Sequence, residues 1–368
     1  MSQPLEQLAE AGQSVWIDYL SRKFLEDGEL EALIEKGVRG LTSNPTIFQG
    51  AIAEGDAYDD QLREVLKEQE DPKEVFLALA EEDIRNACDL LRPVFDRGES
   101  TRDGWVSLEV DPRLAFDTEA TVEEAKRLHK LIDRPNLFIK IPGTEAGLQA
   151  IEDTIAAGIP VNVTLLFSLE RHRQSAEAYL RGLRRLRESG GDLSTVASVA
   201  SFFVSRVDTE ADKRLDDIGG HDELKGKLAI ANAKLAYLTY EELFSGAEWE
   251  ELEREGGSPQ RCLWASTSTK NPEYRDVIYV EELIGPSTVN TMPRETAEAF
   301  IDHGRIANRL TEDVDEAKRT LEAFAEAGVD YDDVVATLER EGVEKFAKSF
   351  KDLFEGVAGK RDELVAAA

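Results

Sequence analysis

The chain has 368 residues, of which 75 are acidic and 44 basic, so its formal net charge is −31. Nucleic acids and anionic membrane surfaces are bound through clustered Lys and Arg, and this charge excludes partners held by bulk electrostatic attraction. Any phosphate group that the protein binds must therefore be small and held locally. Hydrophobic residues make up 41% of the chain, and a chain of this size buries about three quarters of its unfolded surface. We therefore expect a globular protein.

The cysteines and the amino end indicate the compartment. Cys88 and Cys262 are the only two cysteines, and neither has a neighbour at metal-ligand spacing. We interpret both as buried, reduced thiols. The amino end carries Glu6 and Glu10 where a signal peptide would have a basic region before an apolar core. Since no apolar run approaches the ~18 residues of a membrane span, the sequence predicts a soluble cytoplasmic protein.

Short β-rich runs alternate with longer runs of helical period along the chain, which is typical of a parallel sheet with crossover helices. The predicted strands are 15–18, 38–42, 105–110, 137–141, 160–166, 196–203, 262–265, 277–280 and 287–290. These runs are one too many for a closed eight-stranded barrel.

Amphipathic helices are predicted between the strands. They are 72–91, 122–131, 145–156, 169–186 and 223–243, followed near the carboxyl end by 311–324, 331–340 and 343–354. The acidic segment 248–257 predicts a solvated loop. No linker, low-complexity tract or repeat interrupts the pattern, so we expect one domain over 1–368, with a barrel at about 14–305 and terminal helices at about 311–357.

A lysine lies in one of the predicted strands. Residues 136–142 alternate in polarity, so that Phe138 and Lys140 share one face. Burial disfavours the ammonium form of a lysine, and a neutral amine is a nucleophile whose natural target is a carbonyl. On this strand alone, a lysine whose head group reaches water or a carboxylate is the simpler interpretation.

Two acidic residues occupy comparable positions. Glu109 lies inside the apolar strand 105–110, and Asp18 ends the strand 15–18. Carboxyl groups in such settings can exchange protons near neutrality, although a cap or a structural ion pair is the simpler interpretation of each alone. Three ionisable groups at three strand ends favour a site, because the carboxyl ends of strands build the active site in parallel barrels.

More polar residues recur at the same strand ends: Asn44, Asn162, Thr164, Ser201, Arg206, Ser268 and Lys270. The histidines lie in helical or loop stretches among charged residues, and we predict all of them at the surface: His129, His172, His221 and His303. No glycine-rich nucleotide or phosphate loop follows a strand, and no metal site is predicted.

Five segments, in order, resemble the motifs of the transaldolase family. They are Gly40-Leu-Thr-Ser-Asn-Pro-Thr-Ile-Phe48, Ser107-Leu-Glu-Val-Asp-Pro-Arg113, Phe138-Ile-Lys-Ile-Pro142, Asn162-Val-Thr-Leu-Leu-Phe-Ser168 and Ser201-Phe-Phe-Val-Ser-Arg206. The resemblance runs from about Ser14 to the terminal helices. It implies an α/β fold, a single (β/α)8 TIM barrel with additional helices at the termini, that transfers a dihydroxyacetone unit between sugar phosphates without metal or organic cofactor. It also implies that 287–290 is the eighth strand and that 277–280 lies outside the barrel.

The resemblance implies a role for each candidate residue. Lys140 is the expected Schiff-base nucleophile, Glu109 the acid/base that acts through a water, and Asp18 the proton acceptor for the C4 hydroxyl. Thr164 is expected near the catalytic water. The residues expected to bind substrate are Asn44, Asn162 and Ser201 along the site and Arg206, Ser268 and Lys270 at the phosphate end.

Two departures from the commoner family pattern concern the phosphate end. The sequence has Ser201-Phe-Phe-Val-Ser-Arg206 where many members have Ser-Pro-Phe-Val-Gly-Arg, and Lys270 stands where they have arginine. The chain resembles the longer branch of the family. A lysine offers a phosphate a point charge, whereas an arginine offers a planar fork.

Two other functions stay open at this point. One is a lyase on the same scaffold that releases free dihydroxyacetone, as a fructose 6-phosphate aldolase would, and the other is a catalytically silent sugar-phosphate sensor. We expect small sugar phosphates as partners, no nucleic acid or membrane, and a monomer or homodimer. The net charge of −31 further suggests adaptation to high salt.

Overall fold

Eight parallel strands close into a barrel in which each strand pairs with its neighbours in chain order and β1 closes on β8. The computed structural model describes residues 3–53, 56–97 and 103–366. The strands are β1 (Gln13–Asp18), β2 (Val38–Thr42), β3 (Trp105–Glu109), β4 (Leu137–Pro142), β5 (Val161–Leu166), β6 (Ser198–Phe203), β7 (Arg261–Ala265) and β8 (Thr288–Met292). The predicted (β/α)8 barrel is confirmed.

Helices surround the barrel. Those of the first half are α1 (Pro4–Glu10), α2 (Arg22–Glu26), α3 (Glu29–Glu35), α4 (Pro45–Ala53), α5 (Asp59–Val65), α6 (Pro72–Phe95), α7 (Thr118–Ile132) and α8 (Glu145–Ala156). Those of the second half are α9 (Leu169–Glu188), α10 (Ser205–Ile218), α11 (Leu228–Leu243), α12 (Gly246–Arg254), α13 (Ile278–Glu281), α14 (Arg294–His303), α15 (Val314–Glu326) and α16 (Tyr331–Ala366). In the described part of the chain, no helix is long and apolar enough to cross a membrane.

Aromatic side chains from β1, β3 and β4 pack together inside the barrel. The Trp105 and Phe138 rings stack with centroids 4.1 Å apart, and Trp16 lies 6.0 Å from Phe138. Gly40 makes room for this stack, because a Cβ there would come within 2.6 Å of the Trp16 ring. The polar residues that follow in the same strands therefore lie above an apolar floor, at the carboxyl ends of the strands.

Two segments differ from their predicted structure. The apolar run 277–280 forms most of the short helix α13 instead of a strand, and it lies outside the barrel as the family resemblance implied. The acidic segment 248–257, predicted as a loop, contains most of α12, which buries Trp249 and Leu252. These two residues are three apart and share one helical face, so the helix packs through them while its acidic side chains face solvent.

The carboxyl-terminal part is also more continuous than predicted. The sequence predicts two helices within 331–354, separated near Gly342, but α16 runs unbroken from Tyr331 to Ala366. Gly342 lies inside this helix, where a Cβ would come within 3.1 Å of the Leu165 side chain. The glycine thus permits a close approach between α16 and the end of β5.

The prediction that all histidines lie at the surface is wrong for His172. Its side chain is buried between α9 and β7, with Nε2 3.6 Å from the sulfur of Cys262. Burial lowers the pKa of His172 to about 4, so the ring is neutral. Cys88 and Cys262 are both buried and free, as predicted.

Candidate functional site

A cavity of about 290 Å³ opens at the carboxyl ends of the strands. Most of the predicted site residues line it: Asp18, Asn44, Lys140, Thr164, Ser201, Arg206, Ser268 and Lys270. The other two, Glu109 and Asn162, lie directly beneath this lining and contact it through Lys140 and Ser201. The barrel thus brings together residues as distant in the sequence as Asp18 and Lys270, as the shared strand-end location predicts.

Lys140 and Glu109 form a buried pair at the bottom of the cavity. The two residues are cross-strand partners in the β3–β4 register, and the Lys140 Nζ donates to Glu109 Oε2 at 3.3 Å. Nζ also donates to the carbonyl oxygen of Ser43 at 3.2 Å. Burial raises the pKa of Glu109, and the positive charge of Lys140 opposes that rise. This environment keeps the carboxyl group ready to exchange a proton.

Asp18 lies at the end of β1 on the same wall. Its Oδ1 accepts a hydrogen bond of 2.7 Å from the Thr42 hydroxyl, which also contacts the Thr291 hydroxyl at 2.7 Å. Burial raises the pKa of Asp18, while the positive charges of Lys140 and Arg206 act in the opposite direction. A carboxylate that is poorly solvated but still close to cations is a stronger base than one in water.

Hydroxyl and amide groups continue the polar layer across β3, β5 and β6. The Ser201 hydroxyl donates to Asn162 Oδ1 at 2.7 Å, and Asn162 Nδ2 donates to the Ser107 hydroxyl at 3.0 Å. These bonds fix the orientation of the Asn162 amide beneath the cavity. Thr164 Oγ1 is buried and has no hydrogen-bond partner among the described residues, so it is free to bind a substrate hydroxyl or a water.

Asn44 lies at the edge of the cavity, between β2 and α4. Its Oδ1 accepts a hydrogen bond of 3.0 Å from the backbone N–H of Ile47. That bond holds the side chain against the first turn of α4, with its amide nitrogen left to donate elsewhere.

The far end of the cavity carries positive charge. Arg206 lies in the first turn of α10 with its guanidinium over the Phe203 ring at 5.1 Å, and the Lys270 Nζ donates to the Ser268 hydroxyl at 2.7 Å. Burial lowers the pKa of Arg206, and burial together with the Arg206 charge lowers the pKa of Lys270. Both cations face the cavity without an ion-pair partner in the described ranges, which is the arrangement that an anion requires.

Several residues of the site were not predicted. Thr42, Ser43 and Ser107 lie within segments that resemble family motifs, and Ser107 could have been identified because it alternates with Glu109 on one face of its strand. Lys345 and Phe346 come from α16 and line the cavity too, and the Phe346 ring lies 5.9 Å from the Lys140 Nζ. No sequence signal links α16 to the strand ends, since helical period reveals an apolar face but not the position of that face in the fold.

Among the residues that the structure describes, no three His, Cys, Asp or Glu side chains are grouped so that they could hold a metal ion. The residues at the bottom of the cavity are instead an amine, two carboxyl groups, amides and hydroxyls. Such a set supports covalent chemistry through the amine and proton transfer through the carboxyl groups.

Comparison with known proteins identifies similar chains over nearly the full length. The family described as Transaldolase/Fructose-6-phosphate aldolase matches residues 15–357. A protein named transaldolase from Acidothermus cellulolyticus is 54% identical over 96% of this chain and 95% of its own. One from Thermobifida fusca is 53% identical over 97% and 98%, and one from Mycolicibacterium smegmatis is 50% identical over 97% of each chain.

Proposed function

Because the chain belongs to the transaldolase/fructose-6-phosphate aldolase family, we propose that it is a transaldolase. It transfers a dihydroxyacetone unit from sedoheptulose 7-phosphate to glyceraldehyde 3-phosphate, giving erythrose 4-phosphate and fructose 6-phosphate, in the non-oxidative pentose phosphate pathway. The observation that carries this proposal is the buried Lys140–Glu109 pair, 3.3 Å apart, in a cavity whose other end carries Arg206 and Lys270. A nucleophilic amine and an anion site in one cavity suit a phosphorylated ketone.

In the proposed mechanism Glu109 first takes a proton from the Lys140 ammonium group, and the neutral Lys140 amine then adds to the C2 carbonyl of the ketose phosphate. Glu109 passes a proton through a bridging water to the C2 oxygen, which leaves as water, and an iminium ion forms. Thr164 helps to hold that water. The raised pKa of Glu109 supports this role, because a carboxyl group that holds its proton closer to neutral pH serves as both acid and base.

Carbon–carbon bond cleavage follows from the charge of the iminium ion, which withdraws electrons from the C3–C4 bond. Asp18 takes the proton of the C4 hydroxyl as this bond breaks, and the aldose phosphate leaves. The enamine that remains on Lys140 adds to the aldehyde carbon of the acceptor, Asp18 returns its proton to the new hydroxyl, and water releases the product. The donor and acceptor thus react in turn at one lysine.

The remaining residues bind and orient the sugar phosphate in this proposal. Arg206, Ser268 and Lys270 bind the phosphate group through charge-assisted hydrogen bonds. Asn44, Asn162 and Ser201 contact the hydroxyl groups of the three-carbon unit. The fixed Asn162 amide, bonded on both sides by Ser201 and Ser107, supports a positioning role because its donor and acceptor directions are set before the substrate binds.

A lyase that releases free dihydroxyacetone is the main alternative, and it shares Lys140 and the enamine. The two activities differ in whether a proton reaches the nucleophilic carbon of the enamine before an acceptor does. A tyrosine could protonate that carbon, but the described lining of the cavity contains none. Asp18 carries only the proton that it took from the C4 hydroxyl and returns to the new hydroxyl. These side chains favour an enamine that lasts until an acceptor arrives, and hence transfer of the dihydroxyacetone unit. A silent sensor would need only the phosphate end, so it does not account for the Lys140–Glu109 pair.

The experiment that tests the proposal is incubation with fructose 6-phosphate, with and without erythrose 4-phosphate. We expect fructose 6-phosphate alone to give at most a burst of one glyceraldehyde 3-phosphate per site, and steady turnover only after erythrose 4-phosphate is added. Steady release of dihydroxyacetone without an acceptor would instead identify a lyase. No adduct and no turnover would identify a sensor, and Lys140→Met provides the inactive control.

We also propose a compartment, an oligomeric state and partners for the enzyme. We place it in the cytoplasm, where its two free buried thiols stay reduced, as a monomer or a homodimer. Its partners are the sugar phosphates themselves, and we expect no nucleic acid or membrane partner because the net charge is −31. We further propose that the whole chain is one domain, since one cluster of buried apolar side chains extends from Leu5 to Val357.

A further inference from the structure

A third basic residue faces the cavity from the carboxyl-terminal helix. Lys345 of α16 lines the same cavity as Arg206 and Lys270. It lies next to Phe346, whose ring lies 5.9 Å from the Lys140 Nζ. The helix therefore crosses the cavity mouth above the proposed nucleophile and presents a cation beside the phosphate end.

Packing on both sides fixes the position of α16 around Lys345. One turn earlier, Gly342 lies so close to the barrel that a Cβ would meet the Leu165 side chain at 3.1 Å. One turn later, the Thr46 hydroxyl of α4 donates to the Ser349 hydroxyl at 2.9 Å. Phe346 and Phe350 are both buried. The backbone that carries Lys345 is thus held over the cavity by the fold itself.

The electrostatic surroundings of Lys345 indicate an anionic ligand. The side chain is exposed and makes no ion pair or hydrogen bond with the residues that the structure describes. Burial and the Arg206 charge lower the pKa of Lys270 most, Glu295 opposes this shift, and the Lys345 charge adds the smallest lowering effect. Glu295 forms no ion pair with the residues that the structure describes. Three cations at one cavity repel one another, and a dianion between them would relieve that repulsion.

We propose that Lys345 is a phosphate-binding residue, which completes a cluster of three cations with Arg206 and Lys270 and selects phosphorylated over unphosphorylated sugars. This inference rests on the proposed function, because it assigns the phosphate group of the substrate to this end of the cavity. The three cations come from three separate elements, namely the start of α10, the segment between β7 and α13, and α16. The ligand is thereby enclosed from the side of the barrel and from the side of the covering helix.

The test uses inorganic phosphate as a probe, with its dissociation constant measured by isothermal titration calorimetry for the whole chain. Lys345→Gln should weaken phosphate binding about tenfold. This factor corresponds to the lower end of the range for a charge-assisted hydrogen bond, because the Lys345 side chain is exposed. Lys348→Gln is the matched control, since Lys348 is exposed on the same helix and does not line the cavity. Lys345→Arg should retain binding.

Activity measurements separate this inference from the proposed function. With fructose 6-phosphate as donor, Lys345→Gln should raise the KM several-fold and leave kcat nearly unchanged. Equal phosphate affinity in wild type, Lys345→Gln and Lys348→Gln would overturn the inference, and so would an equal loss in both variants. The wild type could lack transferase activity while Lys345→Gln, and not Lys348→Gln, weakens phosphate binding. In that case the proposed function is wrong and the phosphate site is supported.

Discussion

Glu109 and Lys140 face each other as cross-strand partners on β3 and β4, with Oε2 and Nζ 3.3 Å apart and both side chains buried. A buried pair of this kind costs desolvation energy that an apolar pair would not, so its place at the bottom of a cavity suggests a chemical role. A protonated Schiff base carries the same single positive charge as the ammonium group. Glu109 therefore faces a cation both before and after the covalent step that we propose.

Removal of the Glu109 charge should slow the chemistry without removing the nucleophile. Glu109→Gln keeps a hydrogen-bond acceptor for Lys140 but no longer transfers a proton. We expect kcat to fall by about 10²–10⁴-fold, the usual contribution of a positioned acid/base. The affinity for inorganic phosphate should not change. A kcat close to that of the wild type would contradict the role of Glu109, and steady-state assays with fructose 6-phosphate and erythrose 4-phosphate measure it.

Loss of Arg206 should affect the phosphate end selectively. A dianionic phosphate needs charge-assisted donors, each of which contributes roughly 1.5–3 kcal/mol. Arg206→Ala should therefore raise the KM for phosphorylated donors far more than the KM for unphosphorylated dihydroxyacetone. Lys213→Ala, an exposed position on the same helix, provides the control. Equal losses with both kinds of substrate would point to a structural role for Arg206.

The sequence predicts the barrel and the residues at the bottom of the cavity better than it predicts the position of α16 over the cavity mouth. Lys140 and Glu109 are recognisable because a charged residue inside a short apolar strand breaks an otherwise regular pattern. Lys345 breaks no pattern, since a lysine on an exposed helical face is ordinary and its position over the cavity depends on tertiary packing. The sequence wrongly predicts His172 at the surface, because its charged neighbours on α9 conceal that its own side chain lies on the buried face.

The run 277–280 shows the limit of composition for short segments. Its residues Val277, Tyr279 and Val280 are all buried, and β-branched and aromatic residues at this length predict a strand. Here the same apolar side chains pack as one turn of helix outside the barrel, because the barrel is already closed by β7 and β8. A four-residue run does not contain enough period to distinguish these outcomes.

Asp208 should make stability depend on pH. Its carboxyl group is buried and accepts hydrogen bonds of 2.7 Å from both the Ala229 N–H and the Tyr279 hydroxyl. Burial raises its pKa from 3.8 to about 7, and the charge of Asp212 adds to that rise. Because the folded-state pKa is raised, this contribution to stability is complete below the unfolded pKa and is lost as pH rises through about 7.

Asp208→Asn removes this titration and keeps the size of the side chain. Between pH 5 and pH 8, the wild type should lose about 2–3 kcal/mol more free energy of unfolding than Asp208→Asn. Urea unfolding at the two pH values measures the difference, and the carboxyl groups of Asp18 and Glu109 cancel because both proteins contain them. The same pH dependence in both proteins would show that Asp208 is ionised throughout or does not affect folding.

The net charge of −31 should make the protein more stable in salt. Like charges on one body repel, and the screening length falls from ~10 Å at 0.1 M salt to about 3 Å at 1 M. Surface ion pairs such as Arg185 with Asp153 weaken under the same conditions, but each contributes little. We therefore expect the Tm to rise from low to molar KCl. A Tm that stays constant or falls would contradict adaptation to high salt.

The most direct test of the central claim is to trap the covalent intermediate. Borohydride added during incubation with fructose 6-phosphate should reduce the Schiff base, and peptide mass spectrometry should then find a three-carbon unit on Lys140. Lys140→Met should yield no adduct and lose turnover by several orders of magnitude while it keeps the Tm near that of the wild type. A three-carbon label on any other lysine, or full turnover by Lys140→Met, would contradict the proposed role of Lys140.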